Sequence, residues 1–152
     1  MSFQGLERLN VWRRAKDFAL FVYREVLPLL PGEEKWGLDQ QIRRAVQSIP
    51  ANIAEGYGRY YYQDNVRFCY IARGSLDETA SHLVLAHELG FVPDKLFERL
   101  AEKGEELVRL LNGYIAYLKR SRQGENEPGA NQTLSEPNET YSIETLSEHV
   151  EP

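Results

Sequence analysis

Residues 41–62 read QIRRAVQSIPANIAEGYGRYYY, and this stretch decides the fold. Leu38, Ile42, Ala45, Ile49 and Ile53 recur at intervals of three and four, the spacing that lines up side chains on one helix face. A helix is therefore expected from about Gly37 to Gly56, stopped by Gly56 and Gly58. Pro50 falls inside it. Proline has no N–H, so the Val46 carbonyl loses its donor and is crowded by the ring, which predicts a bend near residues 46–50. The cost is about 3 kcal/mol unless packing offsets it, and Ser48 is placed to satisfy part of the disturbed backbone.

The same spacing continues outward. Trp12, Ala15, Ala19, Val22 and Val26 predict a first helix over Leu9–Leu27, ended by Pro28 and Pro31-Gly32. Cys69, Ala72, Leu76, Thr79, Leu83 and Ala86 predict a third over Gln63–Leu89, ended by Gly90. Pro93 suits the first position of a fourth, which Leu100, Leu107, Leu111, Tyr114 and Leu118 carry to about Arg120. No segment alternates as a strand would, and there is no repeat. Short connections make sequential helices antiparallel, so the expected fold class is all-α, an up-down-up-down four-helix bundle over residues 1–122. Two helices are apolar on more than one side. The first adds Phe18, Leu20, Phe21 and Tyr23, and the third adds Phe68, Ile71, Val84 and Leu85. A bundle monomer needs one stripe per helix, so the second stripe points to a subunit interface; a wide stripe on tightly enclosed helices is the plainer alternative.

A chain of 152 residues suits one domain with a real core. No apolar run approaches the ~20 residues that span a bilayer, and MSFQGLERLN does not read as a signal peptide. The single cysteine, Cys69, excludes an internal disulfide and fits a reducing cytoplasm. The glycosylation-type triplets at Asn131 and Asn138 are then accidental. The net charge of −5 hides a division. All 18 Lys and Arg lie at or before Arg122, while 7 of the 23 acids come after it, so the body carries 18 − 16 = +2 and the tail −7. Residues 123–152 are rich in Glu, Asn, Ser, Thr, Gly and Pro, with too little apolar surface to offset the entropy of ordering, and read as a disordered acidic tail. A transient helix over Ser142–His149 fits the spacing there.

Past the proline, Asn52 and Glu55 are three apart on one side of the helix. Gly56 removes bulk, which lets another backbone approach. The third helix answers with Arg73-Gly74-Ser75-Leu76-Asp77-Glu78. In an antiparallel pair Ser75 comes near Asn52, giving an expected structural polar cluster of Asn52, Glu55, Ser75 and either Arg44 or Arg73, with any buried charge paired. Three segments, Gln41-Ile42-Arg43-Arg44-Ala45, Ser48-Ile49-Pro50-Ala51-Asn52-Ile53-Ala54-Glu55-Gly56-Tyr57-Gly58-Arg59 and Ile71-Ala72-Arg73-Gly74-Ser75-Leu76-Asp77-Glu78, together with Trp12 and Leu89-Gly90-Phe91, resemble the bacterial four-helix-bundle family of ribosomal-RNA intervening-sequence proteins. The resemblance covers about residues 6–118. It implies a four-helix bundle assembled as a ring-like homopentamer. More distantly, the chain is similar to accessory variability proteins of diversity-generating retroelements, which bind a reverse transcriptase and nucleic acid and tend to be more basic than this body.

The nucleic-acid candidates are Arg43, Arg59, Tyr60, Tyr61, Tyr62 and Arg67, since arginine grips phosphate and tyrosine stacks on unpaired bases. Arg13, Arg14 and Lys16 form a second basic group. The plainer reading is helix-start packing for the tyrosines and a solvated or ion-paired face for the arginines. Glu78, His82 and His87 do not make a di-iron pattern, because that needs Glu-x-x-His on two helices, so no metal is expected. Cys69, set between Phe68 and Tyr70, reads as buried and inert. Gly56-Tyr57-Gly58 lacks the Lys-Ser/Thr of a phosphate loop. The expectation is a non-enzymatic, cytoplasmic homo-oligomer, with no cofactor and no small-molecule substrate, that scaffolds RNA or an RNA-handling protein such as a reverse transcriptase. The rival is a protein-interaction adaptor without nucleic-acid affinity. A third possibility is that the acidic tail covers a basic surface by mimicking phosphate.

Overall fold

The computed structural model describes residues 3–126. Those residues are all-α. A short helix α1 (Phe3–Arg8) precedes four long ones: α2 (Asn10–Phe21), α3 (Leu38–Tyr57), α4 (Tyr62–Glu88) and α5 (Asp94–Ser121). The three predicted downstream helices are present to within a residue or two at each end. The first is not continuous. It passes at Val22–Val26 into a wider π-helical turn, in which the Leu27 N–H reaches back to the Val22 carbonyl, and then into a 3-10 turn at Leu27–Leu29. The cause sits in Pro28, which cannot donate and whose ring crowds the carbonyl four residues earlier, so the last turns widen before the chain stops. Helix α1, before Leu9, was not signalled by the spacing; it buries no residue.

α3 holds Pro50 in its interior, and Ser48 Oγ lies 3.0 Å from the Ala45 carbonyl rather than at the Val46 carbonyl freed by the proline. α4 ends as Gly90 requires. Gly90 has φ +84°, its N–H bonds the His87 carbonyl, and the Phe91 N–H bonds the Ala86 carbonyl, the paired closure that a left-handed glycine makes possible.

The helices pair antiparallel. Ser48 of α3 is hydrogen-bonded to Ser75 of α4, while Gly56 of α3 meets Asn65 and Phe68 of α4. Asn65 of α4 meets Tyr114 of α5, and His87 meets Asp94 and Phe97. Arg14 of α2 reaches Glu106 of α5 at 3.5 Å, while Phe21 lies under Arg99 and Lys103. One core joins all four long helices, with Ala15, Val22, Ile42, Ile49, Ile53, Cys69, Ala72, Leu107 and Leu111 among its most enclosed members.

The tightest contact is at Gly56. A Cβ there would stand 2.7 Å from Asn65 Oδ1 and 2.9 Å from Phe68 Cβ, so only glycine admits this approach of α4. Asn65 is itself buried. It donates to the Tyr114 hydroxyl at 3.3 Å and accepts from Cys69 Sγ at 3.7 Å, so its polar atoms are partnered inside the core.

The expected cluster of Arg44, Asn52, Glu55, Arg73 and Ser75 does not form. Ile53 is buried, and Glu55, two residues on, lies about 200° around the helix and faces solvent. It pairs with Arg59 at 2.7 Å across the surface, a contact of a few tenths of a kcal/mol. Arg44 stands in the same relation to buried Ile42 and is exposed. Asn52 donates to the Ser48 carbonyl at 2.7 Å within its own helix, and Arg73 turns to Asn112 of α5 at 3.0 Å. What crosses from α3 to α4 is the Ser48–Ser75 hydroxyl pair, uncharged.

Two consequences are measurable. Gly56→Ala should destabilise the protein by about 1–3 kcal/mol in urea unfolding, because the added methyl meets backbone and Cβ atoms. Gly74→Ala, where nothing lies within 4 Å, should instead stabilise by about 0.5–1 kcal/mol. Equal effects at the two positions would contradict the close approach. Burial also raises Cys69 from its ordinary 9.0 to about 12, and Tyr114 from 10.0 to about 12, mainly by desolvation. Both groups keep their protons in the folded state at pH values where the unfolded chain loses them. Stability should therefore be full below pH 9 and decline as pH rises from 9 toward 12. Cys69→Ala, though less stable at neutral pH, should show a shallower decline over that window.

Candidate nucleic-acid interface

α3 ends at Tyr57 and α4 begins at Tyr62, so the Gly56 contact leaves a tight connection that carries Arg59, Tyr60 and Tyr61. Tyr60 is 61% exposed, whereas Tyr61 and Tyr62 are half-buried and pack edge to face, with ring centroids 5.2 Å apart. Arg59 is held between Glu55 and the Phe68 ring, with its guanidinium 5.2 Å from the ring centroid. Arg67 is exposed one turn and a half into α4. These five residues share one end of the molecule.

Arg43 does not join them. It lies in the second turn of α3, 14 positions before Tyr57 at the helix end, about 21 Å away along the axis. There it pairs with Asp39 at 2.5 Å and sits over the Tyr23 ring, whose hydroxyl is bonded by Gln47. Hydrogen bonding to Asp39 raises its pKa further, so it is a fixed cation in a local cluster. In the second basic group, Arg13 bonds Asn10, Arg14 pairs with Glu106, and Lys16 pairs with Glu7 and lies over Trp12.

The register of α4 against α5 assembles a surface that sequence order conceals. Residues 65–76 of α4 lie beside residues 107–122, the second half of α5 and the residue after it. Together these segments hold Arg67, Arg73, Arg109, Lys119, Arg120 and Arg122 and no carboxylate. The opposite halves, residues 77–88 and 94–106, hold eight acids against three cations. The helix pair is thus strongly polar in charge along its length. At the basic end Tyr70 is flanked by two cations, with Arg73 4.9 Å and Lys119 5.4 Å from its ring centroid. Tyr117, 57% exposed, stacks with Tyr114 nearby on α5. Cations beside accessible aromatic rings are what single-stranded nucleic acid engages, through phosphate and base. Tyr70 and Lys119 carry no signal of this placement in the sequence, and Arg73 reads there as a structural residue.

The first residues of the expected tail belong to the same end. Gln123–Asn126 form a turn rather than an extension. Arg122 adopts φ 48°, the Gln123 carbonyl accepts the Tyr62 N–H at 2.8 Å, and Gly124, at φ +80°, lies so close that a Cβ would stand 3.1 Å from Tyr61 Cα. The rest of the expected tail, 127–152, lies outside the described residues.

The remaining candidates are accounted for locally. His82 lies 3.5 Å from Glu78, while His87 stacks on Phe97 at 4.2 Å and bonds Asp94, so the three do not converge. Among the described residues no group of three or more His, Cys, Asp or Glu is placed to hold a metal ion, and no helix is long and apolar enough to cross a membrane.

Comparison with known proteins agrees with this architecture. A crystal structure of a protein of unknown function from the S23 ribosomal protein family of Bacteroides thetaiotaomicron is 25% identical, with a TM-score of 0.63, covering 69% of this chain and 97% of that one. No curated protein matches significantly. Residues 7–113 match the 23S rRNA-intervening sequence protein family. With that match spanning α2 to α5, the chain belongs to the 23S rRNA-intervening sequence protein family.

Proposed function

We propose that this protein is a non-enzymatic helical scaffold that binds single-stranded RNA, or RNA held by a nucleic-acid-handling protein such as a reverse transcriptase. In this reading the four long helices make an up-down-up-down bundle that works as a cytoplasmic homo-oligomer, with five subunits as the family resemblance implies. The observation that carries it is the charge-segregated α4–α5 pair, whose acid-free half presents Tyr70 between Arg73 and Lys119. Arg59, Tyr60, Tyr61, Tyr62 and Arg67 extend that surface around the α3–α4 connection. Backbone phosphates meet the cations, and unpaired bases stack on Tyr60 and Tyr70. Repetition of the surface around an oligomer would multiply weak contacts.

The rival adaptor reading has its own support. Ile71, Leu85 and Leu89 are 43%, 50% and 51% exposed on one side of α4. Such a stripe serves a protein neighbour, either a second copy or another partner.

One experiment separates the readings. Light scattering on a sizing column gives the assembly, and anisotropy with a labelled single-stranded RNA gives affinity against salt. Arg67→Ala combined with Lys119→Ala should weaken binding about tenfold and reduce the salt slope by roughly 1.4, or about 0.7 for each lost phosphate contact. Arg43→Ala should leave binding unchanged. An oligomer with no RNA affinity would favour the adaptor, and a monomer would remove the scaffold reading.

A further inference from the structure

The turn at Gln123–Asn126 has no part in closing the core, yet it is held at two points. The Gln123 carbonyl takes the first N–H of α4, and Gly124 lies against the backbone of Tyr61 and the ring of Tyr60. Arg122 steadies it by pairing with Glu125 at 3.0 Å. The chain therefore leaves the described structure at the α3–α4 connection, beside the basic end.

The segment beyond Asn126 is the chemical counterpart of that end. Residues 127–152 contain six glutamates and no lysine or arginine, while residues 65–76 with 107–122 contain six cations and no acid. Asp64 and Asp77 are the α4 acids that flank the basic stretch, and both lie outside it. The distances are short compared with the length of chain available. Tyr70 and Arg73 are 8 and 11 residues into α4, about 12–17 Å from its start. Glu136 and Glu139 are 10 and 13 residues past Asn126, a reach of up to about 33–45 Å when extended. The tail also carries Tyr141, Ile143, Leu146 and Val150, side chains that can rest on the Tyr70 ring and the exposed Ile71 beside it.

We propose that the basic–aromatic face formed by Arg67, Tyr70, Arg73 and Lys119 is a docking surface for this chain's own acidic segment, residues 127–152, which occupies it in the absence of RNA. Its glutamates take the positions of phosphates, so the tail is an internal competitor that only a polyanion of higher local charge displaces. The docking itself is independent of what else binds there; the competition rests on the RNA reading above. Attraction between such exposed groups is steeply salt-dependent and vanishes as the screening length falls to about 3 Å at 1 M salt.

The test uses the full chain. Cys69 is fully buried, so Ser147→Cys supplies one labelling site for a nitroxide. At low salt the backbone amides of Arg67, Tyr70, Arg73 and Lys119 should broaden, whereas those of Lys95, Arg99 and Lys103 at the acidic end should not. The broadening should be lost near 1 M salt, or when the six glutamates beyond Asn126 are changed together to glutamine. Equal broadening at both ends, or none, would overturn the docking. The six-glutamine chain should also bind single-stranded RNA about tenfold more tightly than the wild type at low salt and equally at high salt. Broadening at the basic end with no RNA affinity in either protein would uphold the docking and remove the RNA reading instead.

Discussion

The approach of α4 to α3 at Gly56 is the constraint on which the rest depends. A methyl group at that position would overlap Asn65 and Phe68, so the absence of a side chain lets the first turns of α4 lie directly on α3. That contact has three consequences. The connection between the helices shrinks to residues 58–61, which crowds Arg59, Tyr60 and Tyr61 onto one end. Asn65 is driven into the core, where it has to find partners and finds the Tyr114 hydroxyl and the Cys69 thiol. Through Tyr114 the last turns of α5 are fixed at the same end, and with them the point from which residues 123–126 turn back onto α4.

Much of this architecture was legible in the sequence, because the signals involved are local and one-dimensional. The three-four spacing located α3, α4 and α5. Gly90 and Pro93 marked the break between α4 and α5, and Gly56 was recognisable as a place where another backbone comes near. The widened turn at Val22–Val26 was not legible. Pro28 reads as a stop, and the sequence does not say whether the preceding turns stay regular or relax to absorb its ring.

The site was read less well, for two physical reasons. Placing Glu55 beside Asn52 was sound helical geometry, but burial of Ile53 forces the residue two positions later outward, and that rotation decided between a core ion pair and a surface one. Arg73, on α4, bonds Asn112 of α5 instead. The second reason is register. Arg67 and Arg73 are 46 or more positions from Lys119 in the chain, and only the antiparallel pairing of α4 with α5 reveals that two acid-free segments coincide. Counting charges over the body gave +2, a value that averages a basic half and an acidic half to near neutrality.

That segregation has a competing explanation in helix stability, and the two helices separate the alternatives. Cations near a helix C-terminus are favoured by the backbone dipole, which accounts for Lys119, Arg120 and the neighbouring Arg122 without any ligand. The same dipole gives no such preference at the start of α4, where carboxylates are the stabilising choice and Asp64 in the first turn fills that role. Arg67 and Arg73 lie beyond that first turn, where the dipole has faded, and Asp64 and Asp77 stand three positions before the one and four after the other on α4. The dipole thus accounts for the cations of α5 and is silent on those of α4, where the register with α5 sets Tyr70 beside both Arg73 and Lys119. The chain leaves the described residues at that same end, through a turn anchored on Tyr61 and Tyr62 in which Glu125 pairs with Arg122.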